Sequence, residues 1–309
     1  GVMCSARHHQ SAVLISYLAP GQQTERWFAI LFACQKKTGT MNHTTPTTRP
    51  ALNAALIALA LGALTAPLAQ AQTRGLGTQA GEEVGVSVST YTYDEPGYMD
   101  LKATKLGVDY SITQTFKGSW PNQGDTSFFT GELRFANGDA RYSNVSGLTG
   151  RGLTDWYWEA RALMGVDIDM DGYVLAPYLG LGYRHLHNDL RNLSGGYRRE
   201  SRYLSIPLGV TVRTRAAEQS QLLTTFEYVY LLGSKQDARF SDIDPSRQDV
   251  RLNQPSGSGL RLKVIRQFPT WSVGPTLTYW RVAASNSVAG WVEPKNNTVE
   301  LGLSIKRRF

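Results

Sequence analysis

From Glu82 to the end of the chain, apolar side chains recur at every second position. The C-terminal segment is the clearest case, with two alternating rows: Val299, Leu301, Leu303 and Ile305 against Glu300, Gly302, Ser304 and Lys306. Because successive side chains of a β-strand face opposite sides, a period of two predicts a sheet with unlike faces. No convincing amphipathic helix interrupts the pattern, so the chain is predicted to be all-β.

Most of these alternating segments reach the roughly 9–11 residues that a tilted strand needs to cross the hydrocarbon of a bilayer. No apolar run is long enough for a transmembrane helix, which takes roughly 20 residues. We therefore predict an antiparallel, up-and-down transmembrane β-barrel of ten strands, with eight or twelve strands as alternatives. The segments are 83–93, 101–115, 127–137, 155–169, 172–187, 201–215, 221–233, 256–267, 270–283 and 297–309.

A soluble β-sandwich would also show alternation, but the charged residues favour a barrel. If the apolar rows face outward, the charges within the strands face a shared interior, where acids and bases can pair. A charge facing lipid at the midplane would instead cost about 2–4 kcal/mol. The predicted lumenal charge network is Glu132, Arg134, Glu159, Arg161, Arg184, Arg213 and Glu227, and the same face carries Lys105, Asp109, Asp167, Arg261, Lys263, Glu300 and Lys306.

The connections between segments alternate in length, which also favours a membrane barrel. Outer-membrane barrels combine tight periplasmic turns with longer external loops. That rule predicts that both termini of the barrel are periplasmic. The predicted short turns are 169–172, 216–220 and 268–270, and the predicted long loops are 138–154, 188–200, 234–255 and 284–296.

Residues 41–71 have the pattern of a secretory signal peptide. An apolar core at 51–64 is followed by the small-residue cleavage site formed by Ala69 and Ala71. This predicts export, with 72–309 as the mature barrel. Our hypothesis for residues 1–40, which begin with Gly1, is that they are an upstream gene-model extension and that translation starts at Met41.

Charge and cysteine content exclude several classes of protein. Both cysteines, Cys4 and Cys34, precede the mature barrel, so it has neither a disulfide scaffold nor a thiolate metal site. The net charge is +7, but residues 72–309 hold 27 of the 32 basic and 24 of the 25 acidic residues. This near balance does not predict a nucleic-acid partner, which would require clustered basic residues.

Candidate catalytic residues are few. His185 and His187 lie at the outer end of the fifth segment. They continue the alternating row of apolar residues in that segment, so they are predicted to point away from the lumen. A hydrolase would need one of them to activate a hydroxyl, for which Ser201 and Ser205 on the next segment are the nearest candidates. Two histidines without a third ligand are too few for a metal site. The sequence therefore predicts no enzyme, no cofactor and no metal.

The final segment, TVELGLSIKRRF, ends in Phe309 and has apolar residues at alternate positions from Val299 through Leu301 and Leu303 to Ile305. It resembles the terminal strand that bacterial outer-membrane proteins present to the barrel-assembly machinery, from which it departs at Arg307. Two further segments, PYLGLGYR (177–184) and YLSIPLGV (203–210), resemble sequence segments common in small porin-like barrels of the Gram-negative cell envelope. The resemblance implies the barrel-assembly machinery and periplasmic chaperones as partners.

The expected function is an outer-membrane barrel with a structural or surface-interaction role. A narrow pore for small solutes and an outer-rim hydrolase are the alternatives. About eight strands leave an interior just filled by side chains, whereas open porins have 16–18. Expected partners are outer-membrane lipid and lipopolysaccharide, with 234–255 and 284–296 as the contact region. Arg239, Arg247 and Arg251 are candidate contacts to lipopolysaccharide phosphates. Neither the solute nor the oligomeric state can be derived from the sequence.

Overall fold

The computed structural model describes residues 75–117, 126–217 and 219–309. Among these residues, no helix is both long and apolar enough to cross a membrane. Their eleven strands are β1 (Gly81–Glu95), β2 (Met99–Lys117), β3 (Thr126–Asn144), β4 (Thr149–Asp169), β5 (Tyr173–Asp189), β6 (Arg198–Arg215), β7 (Gln221–Arg239), β8 (Val250–Gln254), β9 (Gly257–Gln267), β10 (Trp271–Val282) and β11 (Asn296–Arg308).

The strands form one closed antiparallel ring. Strands β1 to β7 pair in chain order, β7 pairs with both β8 and β9, and the order continues through β10 and β11 back to β1. The short strand β8 continues the line of β9 along β7 beyond a break at Pro255. Since β8 and β9 together occupy one strand position, the ring has ten strand positions, which confirms the predicted fold and strand number. Closure leaves no unpaired edge around the ring, as a sheet in lipid requires.

The outer face of the ring carries an apolar belt. Leu106 is 69% exposed and Met164 is 64% exposed, values that would be unusual for the core face of a soluble sheet. Other exposed members of the belt are Val86, Val108, Leu133, Leu179, Leu208, Phe226, Leu260, Leu303 and Ile305. The apolar rows thus face outward and the charged rows inward.

The strands extend beyond this belt at the end opposite the termini, which we call the loop end. The predicted loop 138–154 is wrong, because β3 and β4 continue into it and leave only residues 145–148 as a turn. The predicted loop 234–255 is likewise mostly strand, with β7 continuing to Arg239 and β8 beginning at Val250.

The structure supplies a reason for both errors. The register shifts opposite Ala140 and Tyr142, where β4 has an extra residue between Gly150 and Leu153, and opposite Leu204 and Ser205, where β7 has an extra residue between Leu231 and Gly233. A bulge changes which residues face outward, so the period of two is interrupted on β4 and on β7. Beyond the belt the outward side chains are also polar, which removes the hydrophobic signal that marks a strand.

The predictions for the upstream extension and the signal peptide concern residues that the structure does not describe. Residues 1–40, the signal segment 41–71 and the cleavage residues Ala69 and Ala71 all lie outside the described residues.

Candidate functional site: the barrel interior

The interior of the barrel contains an ion-pair network in which side chains from distant strands meet. Arg161 on β4 donates to Glu227 on β7 over 2.6 Å, and Tyr178 donates to the same carboxylate over 2.6 Å. Arg261 on β9 donates to Glu159 on β4 over 2.8 Å. All four charged groups are buried, so each acid faces a base where an isolated charge would be costly.

A second layer of the network surrounds Glu300 on β11. Arg134 donates to Glu300 over 3.0 Å and to Asp109 over 3.2 Å. The Tyr157 hydroxyl donates to the same glutamate over 2.8 Å. The Arg184 guanidinium lies over the Tyr157 ring, 3.9 Å from its centroid, and 3.8 Å from the Glu300 carboxylate. Side chains from three strands, β3, β4 and β5, therefore converge on one carboxylate of β11 in the lumen.

Two further pairs complete the placement of the predicted network. Glu132 on β3 accepts from Lys263 on β9 over 3.3 Å, and these strands lie on opposite sides of the ring. Arg213 donates to Asp167 over 3.3 Å. The structure thus places all seven residues of the predicted charge network in the lumen, each in contact with an oppositely charged group.

The segment that precedes β1 enters the lumen at the end that carries the termini, which we call the terminal end. Leu76 is only 2% exposed, and the Thr78 hydroxyl donates to Asp167 over 2.7 Å. The Gln221 side chain donates to the Gly75 carbonyl over 2.6 Å and fixes the other side of this segment. The sequence does not reveal this contact, because so short a segment has no period that could mark it.

Above this segment lies a polar cavity of about 230 Å³. Its walls include Thr78, Glu132, Arg161 and Lys263. The cavity therefore occupies the terminal half of the barrel, between the inserted segment and the layer that surrounds Glu300.

The half of the lumen toward the loop end is filled by buried apolar and aromatic side chains. Tyr203 on β6 and Trp280 on β10 stack across the interior with 6.1 Å between ring centroids. One buried cluster comprises Ala136, Tyr157, Leu186, Tyr203, Val229, Leu231, Trp280 and Val282, and a second comprises Tyr91, Tyr93, Met99, Leu101, Ala140, Leu153 and Leu190.

Between the two clusters lies an ion pair that is withdrawn from water. Lys105 and Asp155 are 0% and 2% exposed and 2.6 Å apart, and the ammonium lies 4.6 Å from the centre of the Tyr91 ring. The sequence does not reveal this filled layer, because alternation assigns a side chain to one face of its strand but does not show which inward side chains meet across the lumen.

At the loop end, a connection crosses back over the lumen. Glu293, in the loop between β10 and β11, accepts a hydrogen bond from the Tyr93 hydroxyl over 3.1 Å and lies 3.5 Å from Arg199. Arg199 also donates to Glu95 over 2.6 Å. Burial raises the pKa of Glu293 to about 8, with Arg199 opposing the rise and the neighbouring Glu95 carboxylate adding to it.

The two histidines are placed away from the lumen, on the outer surface of β5. Trp156 stacks on His187 and on His185, with ring centroids 4.9 Å and 5.4 Å apart. The candidate hydroxyls face the other way. Ser201 donates to Gln236 and Ser205 to the Gly182 carbonyl, both inside the barrel. Neither His185 nor His187 is therefore positioned to activate either serine.

Two acidic residues near the loop end are each held by an arginine. Asp189 accepts from Arg191 over 2.6 Å, and Asp242 accepts from Arg198 over 2.7 Å. The hydrogen bonds from Arg198 lower the pKa of Asp242 to about 2. Within the described part of the chain, no group of three histidine, cysteine or acidic side chains could hold a metal ion.

The C-terminal strand closes the ring. Val299, Leu303 and Ile305 are exposed on the belt, and Leu301 lies on the same face, half-buried. The backbone of Phe309 exchanges two hydrogen bonds with Glu82, while its side chain is 76% exposed. The terminal ring is therefore accessible at the terminal end of the barrel.

The closed antiparallel ring, its apolar belt and its charged lumen together define a class of protein. This chain is an integral β-barrel of the bacterial outer membrane.

No protein-family model matches the chain, and no curated protein matches it. Similar solved structures include the translocator domain of the autotransporter NalP from Neisseria meningitidis. That domain is 11% identical, with a TM-score of 0.36 over 84% of this chain and 97% of the other. A major outer membrane protein from Thermus thermophilus is 15% identical, with a TM-score of 0.32 over 73% and 99%. Values this low assign no activity, ligand or partner to this chain.

Proposed function

We propose that this outer-membrane barrel has a structural and surface-interaction role and that its lumen is occluded. The observation that carries the proposal is the filled layer in the loop half of the lumen, in which Tyr203 and Trp280 stack across the interior. Buried side chains packed in this way leave little room for a continuous water-filled path. The surface presented outside the cell is then formed by the protruding strand ends and loops.

The narrow pore remains the second candidate, because the terminal half of the lumen does hold a polar cavity of about 230 Å³. A pore would need that cavity to continue past Arg184 and through the aromatic layer. The inserted segment at Leu76 would also have to leave the opposite mouth. Both obstructions consist of packed, buried side chains, which favours the occluded barrel over the pore.

Single-channel recording in planar bilayers tests the proposal. We expect the unaltered barrel to insert without conductance steps, and the double variant Tyr203→Ala/Trp280→Ala to conduct, because it removes the two stacked rings. The conducting variant serves as the control that insertion occurs. Tyr228→Ala/Tyr230→Ala, which removes two exposed rings from the outer face of β7, should stay silent. Regular steps from the unaltered barrel would establish a pore and refute the occluded lumen.

A further inference from the structure

A row of three cations crosses the outer surface of β2, β3 and β4 just beyond the apolar belt. Lys102 and Arg141 are direct partners in the register of β2 and β3, so two like charges stand opposite each other on the same face. Arg151 follows on β4, where the register between β3 and β4 shifts. Like charges directly opposite destabilise a sheet, unless something negative lies between them.

These cations are incompletely neutralised by the protein. Lys102 is 2.8 Å from Asp100. No hydrogen bond or ion pair joins the side chain of Arg141 or Arg151 to any other described residue. Among the residues that line the groove at this position, Asp139 is the one acid, facing three bases.

The far side of the barrel shows a different pattern at a comparable height. Asp237 on β7 is the register partner of Arg251 on β8, 2.6 Å away, and it also accepts from Arg202 on β6 over 2.6 Å. Arg239 is 3.1 Å from Asp249. Charges alternate there, and two of the three bases proposed from the sequence as phosphate contacts, Arg239 and Arg251, are already paired. The third, Arg247, lies in the exposed loop between β7 and β8 and not on the surface of the sheet. The unpaired bases on β3 and β4 are the better candidates.

The three cations line one wide, open groove on the outer face of β1 to β4. The side of the groove nearest the apolar belt is formed by Leu106, which is 69% exposed. Its walls carry hydrogen-bonding groups suited to a sugar, from Thr90, Thr92 and Asn137. An occupant would thus meet apolar surface below, hydroxyl and amide groups in the middle, and guanidinium groups above.

We propose that this groove binds the phosphorylated sugar headgroup of an outer-leaflet glycolipid. The acyl chains lie against the belt below Leu106, and one phosphate bridges Arg141 and Arg151, since guanidinium groups bind phosphate oxygens in a bidentate manner. The inference rests on the proposed surface role of an outer-membrane barrel. It supplies that role with a lipid partner and a location.

The test is native mass spectrometry of the folded barrel in detergent with bisphosphorylated lipid A. The other probes are lipid A from which the phosphates have been removed, phosphatidylglycerol, and inorganic phosphate. We expect the unaltered barrel to retain bisphosphorylated lipid A, and Arg141→Gln/Arg151→Gln to lower its affinity by at least about tenfold through the loss of charge-assisted hydrogen bonds. Arg251→Gln, a matched removal of one base from the far side, should leave the affinity unchanged.

Three outcomes would overturn the proposal: equal retention of the phosphate-free lipid, equal retention of phosphatidylglycerol, or an equal loss in Arg251→Gln. Binding of inorganic phosphate without preference for the lipid would also overturn it. Heat-modifiable migration on a gel checks that each variant folds, and Lys102→Gln provides a second way to lower the charge of the groove. Conductance by the unaltered barrel would refute the occluded lumen and leave this result intact, so the two failures are distinguishable.

Discussion

Arg199 on β6 donates a hydrogen bond to Glu95 on β1 over 2.6 Å, although these strands lie on opposite sides of the ten-stranded ring. Both side chains are buried, at 6% and 5% exposure. Like Glu132 and Lys263 lower in the lumen, the pair forms a cross-brace that joins opposite walls. A barrel braced in this way resists flattening and leaves little free interior.

Removing one end of this brace should be costly. Arg199→Gln leaves Glu95 and Glu293 buried beside each other without their shared base, so we expect a loss of about 3–5 kcal/mol in the free energy of unfolding. The neighbouring Arg198 pairs with Asp242 but is 38% exposed, so Arg198→Gln should cost at most about 1 kcal/mol. Urea unfolding of both variants in the same detergent measures the difference, and equal losses would contradict the brace.

The loop that carries Glu293 should loosen as the pH rises. Its folded pKa is about 8, above the ordinary value of 4.5, so the folded state binds the proton more tightly. The resulting stabilisation is present below pH 4.5 and is lost as the pH rises through about 8. The protection factors for hydrogen exchange of residues 283–295, in which the base-catalysed rise of the intrinsic exchange rate is divided out, should therefore fall across this window. Glu293→Gln should abolish this dependence on pH, and an unchanged dependence in that variant would refute the assignment.

The buried pair of Lys105 and Asp155 should show strong coupling in a double-mutant cycle. Lys105→Met alone leaves an unpaired carboxylate at 2% exposure and should cost about 3–5 kcal/mol. The double variant Lys105→Met/Asp155→Leu should recover most of that loss, because both charges are then gone. Additive effects in urea unfolding would show that the two groups do not interact.

The terminal residue should matter for assembly more than for stability. The Phe309 side chain is 76% exposed, so Phe309→Ala should leave the free energy of unfolding of the folded barrel within about 0.5 kcal/mol. If the assembly machinery recognises the terminal strand, the same change should lower the amount of folded barrel in the outer membrane of cells. Ile305→Ala, on the same strand, is the companion variant. An unaltered amount of folded barrel in the outer membrane for both variants would contradict the hypothesis that the terminal strand is an assembly signal.

The sequence predicts the ring well, because the period of two records the pleat of each strand directly. The same parity places Glu159 and Arg184 in the lumen, where the structure has them facing Arg261 and Glu300. The parity fails where a bulge shifts the register, so the extension of β7 beyond Gly233 was predicted as loop.

Other features leave no periodic trace in the sequence. The filled layer depends on side chains of distant strands that meet across the lumen, such as Tyr203 and Trp280, and alternation along one strand does not record such contacts. The insertion of Leu76 depends on a contact with Asp167 that is remote in sequence, formed by Thr78. The cation row of β2 to β4 arises from strand register, since Lys102 and Arg141 are far apart along the chain but adjacent across the sheet.

Gel migration of the detergent-folded chain, with and without boiling, tests most directly whether the chain forms a closed membrane barrel. We predict that the unboiled sample migrates differently from the boiled one and that its circular dichroism spectrum is that of β-structure. Identical migration, together with solubility in the absence of detergent, would contradict the membrane barrel and point to a soluble β-sandwich.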